Sequence, residues 1–82
     1  MKIIKFEQPG CSPCISVSNF LDDAGIEYEA IDVTEKPEIA SQFGIMATPV
    51  VMVFDDNGNK IKEIIGYNVN KLKELVEMIK NN

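Results

Sequence analysis

The two cysteines of this chain, Cys11 and Cys14, lie close together in the segment PGCSPC. Thiols at this spacing can form a structural disulfide, bind a metal ion, or alternate between dithiol and disulfide. A disulfide that closes so short a loop stabilises a fold by only about 2 kcal/mol in the chain-entropy model. A structural zinc site needs four ligands, and the chain has two cysteines and no histidine. The residues therefore favour thiol–disulfide exchange, with the structural disulfide and the metal site as weaker alternatives.

The composition is typical of one globular domain, which we expect to span residues 1–82. Hydrophobic residues make up 45% of the chain and charged residues 26%. The net charge of -5 offers no basic surface for nucleic acid. The longest apolar run, Val50 to Phe54, is too short to cross a membrane, and no apolar signal segment follows Met1. We therefore expect a cytoplasmic protein, where a close cysteine pair is more often catalytic or metal-binding than structural.

The elements that must position the cysteines are predicted in the order β-α-β-α-β-β-α. Apolar residues at three- and four-residue steps indicate the helices, and short β-branched runs indicate the strands. The predicted segments are strands Lys2–Phe6, Ile26–Val33, Val50–Phe54 and Lys60–Ile65, and helices Ser12–Ala24, Pro37–Phe43 and Val69–Lys80. The first strand, helix and strand form a βαβ unit with parallel strands. The segment Asp55-Asp56-Asn57-Gly58 predicts a hairpin with a type I′ turn.

The two thiols are expected to have different roles, because they occupy different places on the first helix. Cys11 lies at the helix start, where unpaired backbone N–H groups favour a negative charge and so the thiolate. Cys14 lies one turn further, on the apolar side, where we expect it to be more buried. Cys11 would then attack a partner's disulfide, and Cys14 would release the partner. Pro13 fits the first turn, where its missing N–H costs nothing.

Three motifs together resemble the thioredoxin family over essentially the whole chain. They are CSPC after the first strand, GIMATP before an apolar strand, and IIGY before the last helix. The chain resembles a short member that lacks the N-terminal strand and helix of full-length thioredoxins. It is also similar to glutaredoxins and to the small glutaredoxin-like electron donors of ribonucleotide reductase. The resemblance implies an α/β thioredoxin fold with a mixed four-stranded sheet flanked by helices.

The same resemblance assigns roles to individual residues. It implies that Cys11 is the attacking thiol and Cys14 the resolving one, and that Pro49 is a cis-proline lying against their disulfide. It also implies that the backbone of Thr48 pairs with an extended substrate segment. The other residues expected at this substrate-binding surface are Gly10, Met46, Ala47, Gly66 and Tyr67. Two of them have simpler interpretations, since Met46 could fill the core and Gly66 could merely form a turn.

Two positions depart from the family pattern. Gly10 replaces the tryptophan that usually precedes the first cysteine, and Lys5 replaces a buried acid on the first strand. We hypothesise that the Lys5 ammonium favours the thiolate electrostatically. The alternative is that the Lys5 stem lies along the sheet while its ammonium reaches water.

The function implied by the resemblance is that of a protein-disulfide reductase, acting as a monomer. It would need no metal and no bound cofactor, only the redox-active Cys11–Cys14 disulfide. Its partners would be disulfide-containing proteins, with ribonucleotide reductase as a candidate, and not nucleic acid or membranes. Glutaredoxins bind glutathione partly through a glycine pair followed by an acidic residue. This chain has Gly66-Tyr67-Asn68 there instead. The difference favours an NADPH-dependent thioredoxin reductase, and not glutathione, as the reductant of the disulfide. The alternatives are a glutaredoxin-like electron donor and a non-enzymatic interaction module.

Overall fold

The computed structural model describes residues 1–81 and contains the seven predicted elements in the predicted order. They are β1 (Lys2–Glu7), α1 (Ser12–Asp23), β2 (Glu29–Asp32), α2 (Pro37–Gln42), β3 (Val50–Phe54), β4 (Lys60–Ile65) and α3 (Val69–Lys80). No helix within the described residues is long and apolar enough to cross a bilayer.

The four strands form a mixed sheet in the order β2-β1-β3-β4. As predicted, β1 and β2 are parallel. Strand β3 runs antiparallel to both β1 and β4, and its first residue, Val50, lies opposite Phe6 near the end of β1. This pairing brings the segment before β3 to the same edge of the sheet as the segment after β1.

Each face of the sheet has its own hydrophobic cluster. The larger cluster joins the sheet to α1 and α3 and contains Ile3, Val17, Leu21, Val51, Val53, Ile64, Leu72 and Leu75. The smaller one, on the opposite face, contains Ile4, Phe6, Ile31, Val50 and Met52. Phe43, directly after α2, covers part of this second face, with its ring centroid 5.4 Å from that of Phe6 and 6.1 Å from that of Phe54. Successive residues of β1 therefore point into different clusters, as expected for a central strand.

Strand β2 is shorter than predicted, beginning at Glu29 instead of Ile26. The backbone N–H of Ile26 bonds to the carbonyl of Leu21 at 3.0 Å, so this residue completes the turn that ends α1. Ile26 and Tyr28 still pack against the larger cluster. Their apolar pattern reflects burial without strand pairing.

The predicted type I′ turn is wrong. Among residues 1–81 no residue other than glycine has a positive φ, so Asn57 does not adopt the conformation that this turn requires. The loop is instead wider, and the Asp55 carboxylate accepts hydrogen bonds from the backbone N–H groups of Asn59 and Asn57, each at 2.9 Å. These bonds hold the pKa of Asp55 below its ordinary value, and the bond from the backbone of Asn59 has the largest effect. Gly58 alone takes a positive φ in this loop, at 84°.

Candidate active site

Cys11 occupies the N-cap position of α1. Its φ and ψ of -102° and 101° are extended, and its carbonyl accepts a hydrogen bond from Ile15 at 3.2 Å. Its Sγ accepts the backbone N–H of Cys14 at 3.2 Å, the contact that a serine or aspartate oxygen makes at other helix starts. Gly10 has a φ of 71°, a value that residues with a Cβ rarely adopt, and thereby turns the chain from β1 into this position.

The two sulfurs are joined in a disulfide, with the Cα atoms of Cys11 and Cys14 5.2 Å apart. Both residues are largely buried, Cys11 with 8% of its surface exposed and Cys14 with 3%. Cys11 is thus less open to solvent than its place at the helix start suggested, yet it remains the more accessible of the two.

The electrostatic surroundings of Cys11 favour its thiolate. The first turn of α1 carries no acidic side chain, and Pro13 lies within it. Backbone N–H groups in the first turn of a helix have no intrahelical partner, and their partial positive charge stabilises an anion at the N-cap. An activated thiolate is therefore expected at Cys11 once the disulfide is reduced.

The segment before β3 contacts this site directly. The Thr48–Pro49 peptide bond is cis, the isomer that the family resemblance implied, and Pro49 is fully buried. The Thr48 hydroxyl lies 3.8 Å from Cys11 Sγ and is oriented to donate a hydrogen bond to it. The antiparallel pairing of β1 with β3 is what brings these distant residues together.

A third segment joins the site at the end of β4. The backbone N–H of Gly66 donates to the carbonyl of Pro49 at 2.8 Å, and Gly66 has a φ of 76°. Gly66 is therefore a turn residue, in agreement with the simpler of its two interpretations. Its hydrogen bond also connects the segment after β4 to the cis-proline. Tyr67 follows directly, with 46% of its surface exposed.

Exposed apolar groups lie along the segment before the cis-proline. Met46 is 97% exposed, so the interpretation of Met46 as core filler is wrong. Met46 and Ala47 line a groove of about 250 Å³ together with Ile65 of β4. An exposed methionine beside an apolar groove is typical of a surface that receives a partner.

Lys5 is buried, with 1% of its surface exposed, so the alternative in which its ammonium reaches water is wrong. Its Nζ is hydrogen-bonded to the Glu7 carboxylate and to the Ser18 hydroxyl of α1. Sequence reasoning missed both partners. The alternation of a strand, which places residues 5 and 7 on one side, could have indicated Glu7, and the four-residue step from Cys14 could have indicated Ser18.

Within residues 1–81, no group of three or more histidine, cysteine, aspartate or glutamate side chains is arranged to bind an ion.

Residues 1–57 match the sequence model of the glutaredoxin family. The chain is 41% identical over 80 residues to the SPbeta prophage-derived thioredoxin-like protein YosR of Bacillus subtilis, an alignment covering 98% of this chain and 100% of that protein. It is 38% identical to the Gene 56 protein of Mycobacterium phage D29, over 88% of this chain and 79% of that protein.

A solved structure shows the same similarity in three dimensions. Thioredoxin from Malassezia sympodialis superposes with a TM-score of 0.78 and 29% sequence identity, over 93% of this chain and 71% of that one. The thioredoxin fold that the sequence motifs implied is thereby confirmed.

Replacing Thr48 by valine removes the hydroxyl near Cys11 Sγ and keeps the shape of the side chain. We expect the thiol pKa of Cys11 in the reduced protein to rise, because the thiolate loses one hydrogen-bond donor. The pH dependence of alkylation by iodoacetamide measures this change. Thr34→Val is the matched control, since the hydroxyl of Thr34 bonds to Asp32 instead. Identical profiles for Thr48→Val and the unmodified protein would contradict the expectation.

Proposed function

The chain belongs to the thioredoxin-like family that includes the glutaredoxins and is a thiol–disulfide oxidoreductase, and we propose that it reduces protein disulfides with Cys11 attacking and Cys14 resolving. The observation that carries this proposal is the asymmetry of the pair. Cys11 Sγ accepts a backbone N–H at the start of α1, and Cys11 is the more exposed residue of the two, whereas Cys14 is the more buried.

The reaction proceeds in two exchange steps. The Cys11 thiolate attacks one sulfur of the partner's disulfide, so that a mixed disulfide forms, the partner's S–S bond breaks, and its other sulfur leaves as a thiolate that takes a proton from solvent. Cys14 then loses its proton to solvent and attacks Cys11 Sγ. This step forms the Cys11–Cys14 disulfide and breaks the mixed disulfide, which releases the second partner thiolate. Two electrons have passed from the dithiol to the partner.

The substrate-binding surface of this proposal surrounds Cys11. Its members are Gly10, Met46, Ala47, Thr48, Gly66 and Tyr67. Met46 and Tyr67 provide exposed apolar area, and the backbone beside the cis-proline offers hydrogen-bonding groups to an extended segment of the partner. Such a surface suits unfolded or loop segments that carry a disulfide, because backbone pairing recognises an extended chain with little demand on its sequence.

The reductant that we propose is an NADPH-dependent thioredoxin reductase, and we place the reaction in the cytoplasm, with ribonucleotide reductase as one candidate recipient. The segment Gly66-Tyr67-Asn68 supports this choice over glutathione. It contains one glycine and no acidic residue where glutaredoxins use a glycine pair and an acid.

Substitution of each cysteine tests the two roles. We expect Cys11→Ser to lower the rate of insulin reduction by about a thousandfold or more, because no attacking thiolate remains. We expect Cys14→Ser to accumulate a mixed disulfide on Cys11, visible by mass spectrometry. Ser12→Ala, which removes a hydroxyl between the cysteines, is the control and keeps its activity. A mixed disulfide that forms on Cys14 in the Cys11→Ser protein would reverse the assignment.

The docking surface is tested by Met46→Ser. We expect kcat/KM for a protein disulfide to fall roughly threefold to tenfold, since a methionine side chain buried by the partner is lost. Reduction of the small disulfide cystine should not change. Ile61→Ser is the matched control, because Ile61 is also exposed, at 45%, but lies on β4 outside the groove. An equal loss on both substrates would contradict a docking role for Met46.

The choice of reductant is tested by measuring NADPH consumption during insulin reduction. We expect turnover with thioredoxin reductase to exceed turnover with glutathione and glutathione reductase by roughly tenfold or more, because the glutathione-binding pattern is incomplete. The assay is repeated with Cys14→Ser, which should be inactive with thioredoxin reductase. Faster turnover with glutathione would favour the glutaredoxin-like alternative.

A further inference from the structure

Lys5 is the one charged side chain that is buried among the described residues. Moving an ammonium group out of water is costly unless partners compensate it, and a methionine would fill a similar volume without that cost. In the sheet register, Lys5 lies between Ala30 of β2 and Val51 of β3, neither of which carries a charge. The buried charge is thus not explained by packing.

The contacts of Lys5 place its ammonium beside the turn of α1 that contains Cys14. Its Nζ is hydrogen-bonded to the hydroxyl of Ser18, which follows Cys14 by four residues. Residues at this spacing lie on the same side of a helix, with Cβ atoms about 5–6 Å apart. Helical side chains also tilt toward the N-terminus of the helix, so the Ser18 side chain that contacts Lys5 points in the direction of Cys14.

Two strand carboxylates, those of Glu7 and Asp32, offset part of the charge of Lys5 at Cys14. The elements that pack on this face contribute uncharged residues, among them Leu72 and Leu75 of α3, and the first turn of α1 has no acid. The counter-charge is Glu7, whose side chain is 33% exposed. Asp32 of β2 lies opposite Glu7 in the register, and hydrogen bonds from Thr34, first that of its hydroxyl, lower the pKa of Asp32 and keep its carboxylate ionised. Because water screens the Glu7 carboxylate more than the buried ammonium, Glu7 offsets only part of the field of Lys5.

We propose that the buried Lys5 ammonium stabilises the thiolate of Cys14 and thereby raises the reduction potential of the Cys11–Cys14 disulfide, with Glu7 limiting the effect. The inference rests on the proposed role of Cys14 as the resolving thiol. A charge that stabilises the reduced form makes the disulfide easier to reduce. The same field eases the loss of the Cys14 proton to solvent before it attacks the mixed disulfide, so release of the partner is faster. Because Lys5 acts through Cys14, it is a positioning residue and not a catalytic one.

The test is a redox titration of the full chain against a glutathione buffer. Lys5→Met keeps the volume and removes the charge, and we expect the equilibrium to shift about tenfold toward the disulfide, a potential about 30 mV more negative. Glu7→Gln removes the offsetting charge and should shift the equilibrium in the opposite direction. Ser18→Ala removes a hydrogen bond without changing any charge and should change the equilibrium by less than about twofold.

Opposite shifts in Lys5→Met and Glu7→Gln distinguish an electrostatic role from a structural one. A loss of packing energy that is equal in the dithiol and disulfide forms does not change the reduction potential. It lowers only the free energy of unfolding, which urea titration measures. The ultraviolet absorbance of the thiolates, followed with pH, should show the Cys14 thiol pKa raised in Lys5→Met. Unchanged potentials in both charge variants would overturn the proposal, while the cysteine substitutions would still test the proposed function separately. If Lys5→Met does not fold, the direction in which Glu7→Gln shifts the dithiol–disulfide equilibrium tests the proposal: a shift toward the dithiol supports it, and any other result overturns it.

Discussion

The antiparallel pairing of β1 with β3 is the constraint on which the site depends. Cys11 follows β1 and Thr48-Pro49 precedes β3, so pairing of these two strands necessarily brings their connected ends together. The hydrogen bond from Gly66 to the carbonyl of Pro49 then adds the end of β4 to the same place. The site consists of three loops at one edge of a rigid sheet, which is how a small domain can hold reactive groups precisely while leaving them reachable.

The chemistry of the pair follows from the start of α1. A sulfur at the N-cap replaces the oxygen that usually accepts a backbone N–H there, so the same contact that begins the helix also favours the thiolate. The second cysteine falls one turn later, within bonding distance of the first and more deeply buried. The start of the helix and the packing around it together therefore distinguish the two thiols.

The position of Lys5 shows how tertiary structure decides whether a charged side chain is exposed or buried. On an edge strand, its ammonium could have reached water, as lysine side chains usually do. Strand β1 is instead central, with neighbours on both sides and α1 above it, and the Nζ finds its partners in Glu7 and Ser18. A charge placed there acts through a medium that screens it poorly, and this is the basis of the influence on Cys14 that we propose for Lys5.

Much of this protein was predictable from local sequence. The periodicities identified all seven elements, and the cysteine spacing with the turn before α1 indicated the chemistry, because these features depend on residues a few positions apart. The same reasoning failed where apolar residues were buried without pairing, at Ile26, and where a side chain organised a loop, at Asp55.

The sequence by itself determined the type and order of the helices and strands and which thiol begins a helix, since backbone geometry links near neighbours directly. Only the tertiary structure decided that Met46 is exposed, that Lys5 is buried, and that Thr48 lies against Cys11 Sγ. These outcomes depend on which segments cover one another, and a periodic pattern within one segment does not identify the distant segment that covers it.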